Sequence, residues 1–261
     1  MIKVIKIGGN VVDNPQLLER FCAEFARLEG PKVLVHGGGV LASQVQKALG
    51  QEPVKIEGRR VTDAETLKVV TMVYSGWCNK NIVALLQKNG CNAIGLSGCD
   101  GNAITAKKRA PKTLSDGVTV VDYGFVGDVE AASVNAPLLE SLISQGLTPV
   151  LSAINHDGCG NLLNTNADTI ASSVAVALKA ELVYCFEKKG VLMDKDDDGS
   201  VIAHITPDRY ARLKADGVVA EGMIPKLDNS FKALGEGAAK VTIKHSDDLL
   251  LAEAGTTLSL Q

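Results

Sequence analysis

The stretch that decides the fold is Ile2-Lys3-Val4-Ile5-Lys6-Ile7, which ends in Gly8-Gly9-Asn10. β-Branched residues dominate this run and glycine stops it abruptly, a pattern typical of a buried strand. Lys6 then lies near the carboxyl end of the strand, followed by bare glycine amides. Because ligands of open α/β sheets bind beyond the carboxyl ends of strands, this pattern indicates an anion site. The alternative is a solvated edge lysine followed by a turn.

A second glycine cluster repeats the pattern. The strand-like run Lys32–His36 is followed by Gly37-Gly38-Gly39 and a helical stretch, 40–49. Helix N-termini carry unpaired N–H groups, and glycine lets a backbone approach an anion closely. Short apolar runs and helical patterns alternate along most of the remaining chain, which predicts a mainly parallel sheet covered by helices on both faces.

Composition and net charge limit the possible functions of the protein. The chain has 261 residues, 46% of them hydrophobic, and a net charge of −3, so nothing suggests a basic surface for nucleic acid. The six cysteines are scattered without a CxxC pair, which favours a reducing compartment. No apolar run reaches about 18 residues, and the chain opens on a strand rather than a signal peptide. We therefore expect a cytoplasmic protein without a membrane span.

Two further clusters place charged or polar side chains just before a predicted helix, and the first of them suits recognition of a carboxylate. In Gly58-Arg59-Arg60-Val61-Thr62-Asp63 an arginine ends an extended segment just before a helix. A guanidinium binds a carboxylate in bidentate fashion, although a surface arginine is the alternative. The second cluster is the stretch from Gly158 to Asp168. Its Asn166 is a natural N-cap for the alanine-rich helix that follows, but capping does not explain Asn164 and Asp168.

A lysine follows the glycine loop Glu221-Gly222-Met223-Ile224-Pro225. Lys226 would lie in the first turn of a helix, where its charge opposes the helix dipole, so a nearby anion would account for it. No Walker A sequence follows any glycine turn. The turn at residues 37–42 fits a loose dinucleotide fingerprint, which keeps a nicotinamide-dependent dehydrogenase as an alternative.

The ordered set of motifs resembles the amino acid kinase family over essentially the whole chain. The motifs are KIGGN, HGGG, GRRVTD, GLSGCDG, FVGDV, GNLLNTNAD and GMIPK, from residue 6 to residue 226. GRRVTD and NTNAD resemble the branch that phosphorylates an N-acylated glutamate. The resemblance implies an α/β fold, a three-layer αβα sandwich with a central, mainly parallel eight-stranded sheet. It further implies one domain, 1–261, with lobes at 1–180 for the acyl amino acid and dimerisation and at 181–261 for ATP.

Motif matching also implies roles for individual residues. Lys6 and Lys226 would flank the transferring phosphoryl group, and Asp168 would hold both lysines. The residues expected to bind phosphate are Gly8, Gly9 and Gly37. Those expected to bind the amino-acid substrate are Gly38, Gly39, Arg60 and Asn164. Those expected to bind the nucleotide are Glu187, Lys188, Gly190 and Lys226.

The nucleotide half departs from the family pattern. Where relatives often carry threonine-aspartate-valine-proline-glycine, this chain has Phe186-Glu187-Lys188-Lys189-Gly190. The two lysines suit phosphates, and a solvated turn is the alternative. ATP is the expected cosubstrate and Mg²⁺ the expected cofactor, with no metal ligand assigned to the protein.

The activity that the resemblance implies is ATP-dependent phosphorylation of the side-chain carboxylate of N-acetyl-L-glutamate, the second step of arginine biosynthesis. Such a carboxylate, with a pKa near ~4.3, is already ionised at pH 7 and needs no general base. The transfer needs charge neutralisation and alignment of two anions. The alternatives are N-succinyl-L-glutamate as substrate, another carboxylate kinase of the family, and a non-enzymatic amino-acid-sensing module.

The N-acyl group depends on whether a cation can meet a second carboxylate. The region 103–129 is expected to form hairpins or a lid, and it offers Lys107, Lys108, Arg109 and Lys112, with Arg59 nearby. If these cationic side chains are solvated loop charges, none of them meets a second carboxylate, and the N-acyl group is expected to be acetyl rather than succinyl. The arginine-inhibited hexamers of the family carry an extra helix before the first strand, whereas Lys6 lies close to the start here. The expectation is an arginine-insensitive homodimer built on a long helix, 64–89.

Overall fold

The structure is a computed structural model that describes residues 1–114, 116–219 and 223–261. The strands are β1 (Lys3–Ile7), β2 (Lys32–His36), β3 (Lys55–Ile56), β4 (Arg59–Arg60), β5 (Ala93–Leu96), β6 (Lys107–Lys108), β7 (Lys112–Thr113), β8 (Val120–Val121), β9 (Gly127–Asp128), β10 (Thr148–Leu151), β11 (Ile154–His156), β12 (Leu162–Asn164), β13 (Glu181–Phe186), β14 (His204–Ile205), β15 (Lys240–His245) and β16 (Thr256–Leu258). The α-helices are α1 (Gly9–Asp13), α2 (Pro15–Arg27), α3 (Gly39–Ala48), α4 (Ala64–Thr71), α5 (Asn79–Lys88), α6 (Ala136–Ser144), α7 (Ala167–Ala177), α8 (Pro207–Ala215) and α9 (Ile224–Gly235). A π-helical segment, Met72–Cys78, joins α4 to α5, and short 3₁₀ turns lie at Asp100–Asn102, Ala131–Ser133 and Ser246–Asp248.

The eight-stranded sheet has the order β14-β16-β15-β13-β1-β2-β10-β5. Six of its strands run in one direction, while β16 is antiparallel to β15 and parallel to β14. All five residues of β2 and all four of β10 are buried, as expected for strands covered on both faces. The predicted three-layer sandwich around a mainly parallel eight-stranded sheet is therefore confirmed.

The register of β1 explains where a site can form. Lys6 lies opposite Val35 of β2 on one side and Tyr184 of β13 on the other. Because the three strands are parallel and in register, their carboxyl ends meet at one edge of the sheet. The turns that follow them, at 8–9, 37–39 and 186–190, therefore converge there.

The predicted long helix forms, with an irregular centre. Asp63 caps α4 by accepting a hydrogen bond from the Thr66 amide at 2.7 Å, and helical backbone then continues to the end of α5. Trp77, near the centre of this helix, is exposed, with an exposed fraction of 67%. A π turn holds more residues than an α turn, so it rotates the residues around Trp77 away from a regular helical periodicity.

The region 103–129 forms two short antiparallel hairpin pairings, β6 with β9 and β7 with β8, as predicted. Beneath them lies a small separate apolar cluster built on Val121, Tyr123 and Val126. No helix among the described residues combines the length and apolarity needed to cross a membrane.

Candidate active site

Three charged side chains meet at the edge of the sheet. The Lys6 Nζ atom, from β1, lies 2.7 Å from Asp168 Oδ1, and the Lys226 Nζ atom, from α9, donates to Asp168 Oδ2 at 3.1 Å. Burial would by itself raise the pKa of Asp168, but the charges of Lys6 and then Lys226 outweigh it and lower the pKa to about 2. The carboxylate is therefore ionised at neutral pH and holds two cations close together.

The local sequence positions Asp168 firmly. The predicted N-cap Asn166 accepts hydrogen bonds from the amides of Asp168, at 2.8 Å, and Thr169, at 3.2 Å. The Tyr184 hydroxyl of β13 donates to the Asp168 carbonyl at 3.2 Å. Asp168 thus occupies the first turn of α7, where the helix dipole also favours a negative charge.

The two glycines after β1 differ in what their amides can do. The Gly8 amide donates to the Cys185 carbonyl at 3.0 Å and so continues the pairing of β1 with β13. The predicted binding of phosphate by the Gly8 amide is therefore corrected: this N–H is occupied by the sheet. Gly9 is the first residue of α1, where a backbone N–H has no acceptor within the helix. The phosphate prediction consequently rests on Gly9 and Gly37.

The turn Gly37-Gly38-Gly39 leads into α3. Gly38 has φ +155°, and a Cβ atom on it would lie 2.9 Å from Cys78 Sγ and 3.0 Å from the Tyr74 ring. Only glycine fits this conformation and this space. In the first turn of α3 the Leu41 amide donates to Asp13 Oδ1 at 3.3 Å, whereas among the described residues the amides of Gly39 and Val40 have no hydrogen-bond acceptor.

His36, the last residue of β2, supports this turn with its side chain. Its buried ring places Nδ1 2.8 Å from the Gly37 carbonyl and Nε2 3.0 Å from the Asn79 amide nitrogen. Nδ1 therefore carries the proton and donates, while Nε2 accepts. Burial lowers the pKa of His36 to about 4, so the imidazole is neutral at pH 7.

Arg60 is buried at the mouth of the turn. It donates to the Gly39 carbonyl at 2.8 Å and to the Ser43 hydroxyl at 2.7 Å, and it also bonds to the Gln46 side chain. Arg60 therefore joins β4 to α3 as well as facing a cavity. The predicted substrate residue Asn164 lines the same cavity, and its Nδ2 donates to the Thr62 hydroxyl at 3.1 Å.

We call the cavity beside this turn the glycine-turn cavity. Its volume is about 230 Å³, and its walls are Gly37, Gly38, Gly39, Lys55, Gly58, Arg59, Arg60, Tyr74, Arg109, Val126, Ala153, Asn164, Thr165, Asn166 and Ala167. All predicted substrate residues lie here, together with Gly37. Sequence reasoning missed Lys55 and Tyr74. For Lys55 a signal existed, because it lies on the hairpin that carries Arg60.

A second cavity, which we call the β13 cavity, lies on the other side of the charged cluster. Its volume is about 310 Å³, and its walls are Phe186, Glu187, Lys188, Gly190, Val191, Leu192, Lys195, Val218, Val219, Met223 and Lys226. It contains every residue predicted to bind the nucleotide. Gly190 has φ +155°, and a Cβ atom there would lie 2.7 Å from Thr256 Oγ1, so glycine is required. Glu221 and Gly222 of the predicted glycine loop lie outside the described residues.

The charged cluster connects the two cavities. Ala167, the neighbour of Asp168, lines the glycine-turn cavity, whereas Lys226 lines the β13 cavity. Two ligands bound in these cavities would therefore approach each other beside a pair of lysines. Within 1–114, 116–219 and 223–261, no group of three or more His, Cys, Asp or Glu side chains could hold a metal ion.

Known proteins resemble this chain over nearly its full length. Residues 1–245 match the sequence profile of the amino acid kinase family. The acetylglutamate kinase of Cytophaga hutchinsonii is 54% identical over 251 residues, which cover 95% of this chain and 92% of that protein. The crystal structure of smu.665 from Streptococcus mutans superposes with a TM-score of 0.76 at 28% identity, covering 100% of this chain and 99% of the other.

A carbamate kinase from Giardia shares the fold at 13% identity, with a TM-score of 0.68 and 98% of each chain covered. Family profile, relatives and fold agree with the paired cavities and the two-lysine cluster between them, and the chain belongs to the amino acid kinase family.

Proposed function

We propose that this kinase transfers the γ-phosphoryl group of ATP to the side-chain carboxylate of N-acetyl-L-glutamate, a step of arginine biosynthesis. The observation that carries the proposal is the position of Lys6, Asp168 and Lys226 between two cavities. The identity of 54% to an acetylglutamate kinase supports the choice of acceptor.

The chemistry follows from the charges. The acceptor carboxylate is ionised at pH 7, so one of its oxygens attacks the γ-phosphorus directly while the bond to the ADP oxygen breaks. The products are an acyl phosphate and ADP. Lys6 and Lys226 offset the charge that gathers on the phosphoryl oxygens. Asp168 stays ionised because of its low pKa, so it organises the lysines and takes no proton.

The two cavities divide the substrates between the lobes proposed at 1–180 and 181–261. The acceptor occupies the glycine-turn cavity, where Arg60 and Asn164 suit its α-carboxylate and acylamino group and Gly38 and Gly39 lie along it. The amides at Gly9 and Gly37 suit phosphate or reacting carboxylate oxygens.

The nucleotide occupies the β13 cavity beside Glu187, Lys188 and Gly190. Mg²⁺ enters with the substrate as MgATP, because it prefers hard oxygen ligands and the phosphates of ATP supply them.

A trapping assay tests the proposal. The protein is incubated with MgATP, N-acetyl-L-glutamate and hydroxylamine, and both the hydroxamate and ADP are measured. Equal amounts of the two products are expected, with none from free L-glutamate. The Lys6→Ala variant serves as the inactive control. Absence of hydroxamate with the wild-type protein, or turnover that needs a nicotinamide cofactor instead of ATP, would contradict the proposed reaction.

The assembly and location are part of the same proposal. Met72 and Trp77 of the π-helical segment are exposed by 57% and 67%, and large apolar side chains exposed together favour burial against a second copy. We therefore place a homodimer interface on this helix. The cysteines at 22, 78, 91, 99, 159 and 185 are free thiols, which suits the cytoplasm. Light scattering of the wild type and of Trp77→Lys measures the mass, and a wild-type monomer contradicts the dimer.

A further inference from the structure

We infer that the glycine-turn cavity recognises an N-acyl group that bears a carboxylate of its own, so that glutamate acylated by a dicarboxylic acid is a substrate. The inference rests on the proposed function and concerns the hairpin side of the same cavity. Its basis is a surplus of positive charge in the cavity wall.

The cavity wall contains four cationic side chains and no carboxylate among the described residues. The cations are Lys55, Arg59, Arg60 and Arg109. An N-acetylglutamate places its reacting carboxylate at the Lys6–Asp168–Lys226 cluster, which leaves one α-carboxylate for the cavity. Four cations facing one anion is a poor electrostatic match in a partly enclosed space.

Two of the four cations are already engaged by the protein. Arg60 donates to Gly39, Ser43 and Gln46, and it remains the candidate for the α-carboxylate. Arg109 pairs with Asp128 through its Nε atom at 3.0 and 3.2 Å and through a second guanidinium nitrogen. These contacts reduce the charge that Arg109 presents to a ligand.

Lys55 and Arg59 are not engaged in this way. Within the described part of the chain, neither side chain makes a hydrogen bond or an ion pair. Both side chains belong to exposed residues that line the cavity. They are therefore available to an anionic ligand.

In the β3–β4 hairpin, Lys55 lies opposite another positively charged residue. In the antiparallel pairing of β3 with β4, Lys55 lies opposite Arg60, and both residues line the cavity. Like charges directly opposite each other on a sheet destabilise the pairing. An anion bound beside them would offset this repulsion, which gives the arrangement a physical reason.

The remaining candidate cations of the hairpin region do not contribute. Lys107, Lys108 and Lys112 are absent from the cavity wall. Lys112 instead lies 3.6 Å from a carboxylate oxygen of Glu57. The sequence could not separate these solvated lysines from Lys55 and Arg59, whereas the structure does.

Steady-state kinetics with three acceptors test the inference. The acceptors are N-acetyl-L-glutamate, N-succinyl-L-glutamate and N-succinamoyl-L-glutamate, whose terminal amide has the size of the succinyl carboxylate but no charge. For the wild type, we expect kcat/KM with the succinyl compound to exceed that with the amide by about tenfold or more, the effect of a charged hydrogen bond.

Two variants then test which side chains recognise the carboxylate of the N-acyl group. Arg59→Gln and Lys55→Gln should each lower the ratio of kcat/KM for succinyl to that for acetyl by about tenfold. Lys107→Gln, a nearby lysine outside the cavity wall, should leave the ratio unchanged. Both changed residues are exposed, and a thermal melt checks that each variant remains folded.

The outcomes separate the two proposals. No acyl phosphate from any acceptor overturns the proposed function itself. Turnover of the acetyl compound without turnover of the succinyl compound overturns only the inference. Equal kcat/KM for succinyl and its amide, or an unchanged ratio in both cavity variants, would show that size rather than charge governs the acyl site, and this also overturns it.

Discussion

The glycine-turn cavity and the β13 cavity lie on either side of one charged cluster, but they are built differently. The first presents Arg60, Asn164 and three consecutive glycines, so its chemistry is polar and directional. The second presents mainly the apolar side chains of Val191, Leu192 and their neighbours, with charge at the rim. One cavity is suited to a small anion held by specific groups, and the other to a flat ring system with phosphates at its edge.

This difference explains where the sequence motifs were informative. Directional recognition requires a particular residue at a particular place. The motifs GRRVTD and NTNAD, which contain Arg60 and Asn164, can therefore be recognised in the sequence. An apolar wall accepts several side chains of suitable size, so the departure at 186–190 does not remove the cavity.

The largest expected effect tests the cluster that both cavities share. Lys6→Ala and Lys226→Ala should each lower kcat by about 10²–10³, because each removes a preorganised positive charge from the transition state. The measurement is kcat by coupled ADP release, with Lys47→Ala on the exposed side of α3 as the control. Near wild-type kcat in both variants would rule out this role.

Asp168→Asn tests the organiser in the same cluster. The variant removes the negative charge that holds Lys6 and Lys226 in place. We expect kcat to fall, but by less than in the two lysine variants. The KM values for both substrates are measured alongside kcat. A change confined to KM would assign Asp168 to binding alone.

The next effect should be confined to the glycine-turn cavity. Arg60→Lys loses the planar fork, and the KM for the acceptor should rise by about 10- to 100-fold while the KM for ATP changes little. A thermal melt is needed, since Arg60 also bonds to the Gly39 carbonyl. Equal increases in both KM values would indicate that Arg60 supports the fold rather than the acceptor.

A smaller effect concerns the stability of the glycine turn. The pKa of His36 is lowered from 6.5 to about 4, so the unfolded chain binds more protons than the folded one between these values. Stability should therefore be full above pH 6.5 and fall as the pH decreases toward 4, by about 2 kcal/mol between pH 7 and pH 5.

Urea unfolding at both pH values measures this difference. His36→Gln is the matched variant, because its side chain does not titrate. If the variant loses as much stability as the wild type between pH 7 and pH 5, another group is responsible.

The smallest effect lies at the rim of the β13 cavity. Lys188 lines this cavity, and its Nζ atom donates to the Lys195 carbonyl at 3.3 Å and lies 3.9 Å from an Asp198 carboxylate oxygen. Lys188→Met should raise the KM for ATP about two- to fivefold, the size of a solvent-screened charge interaction, and leave the KM for the acceptor unchanged. Lys189→Met is the control, since Lys189 is outside the cavity wall. Equal effects of the two variants would mean that Lys188 has no specific position toward ATP.

Elements with strong local patterns could be predicted from the sequence. The strand Ala93–Leu96 and the helix Pro207–Ala215 are examples, since an apolar run and an N-terminal Pro define them locally. The hairpin of β11 and β12 and the strands β14 and β16 at one end of the sheet were missed. Each has only two or three residues, too few for a clear periodic pattern, and β14 and β16 also depend on pairing between segments distant in the chain.

The sequence by itself determined the repeated order of strand, glycine turn and helix, and the residue types of the charged cluster. These follow from local periodicity and from the chemistry that two anions require. Tertiary structure alone decided which amides and charges face a ligand. Pairing with β13 occupies the Gly8 amide, and the β3–β4 register sets Lys55 opposite Arg60. The π turn directs Trp77 outward. The Gly8 pairing depends on a strand distant in the chain, whereas the other two depend on local backbone geometries, a short hairpin and a π turn, that the pattern of apolar residues does not specify.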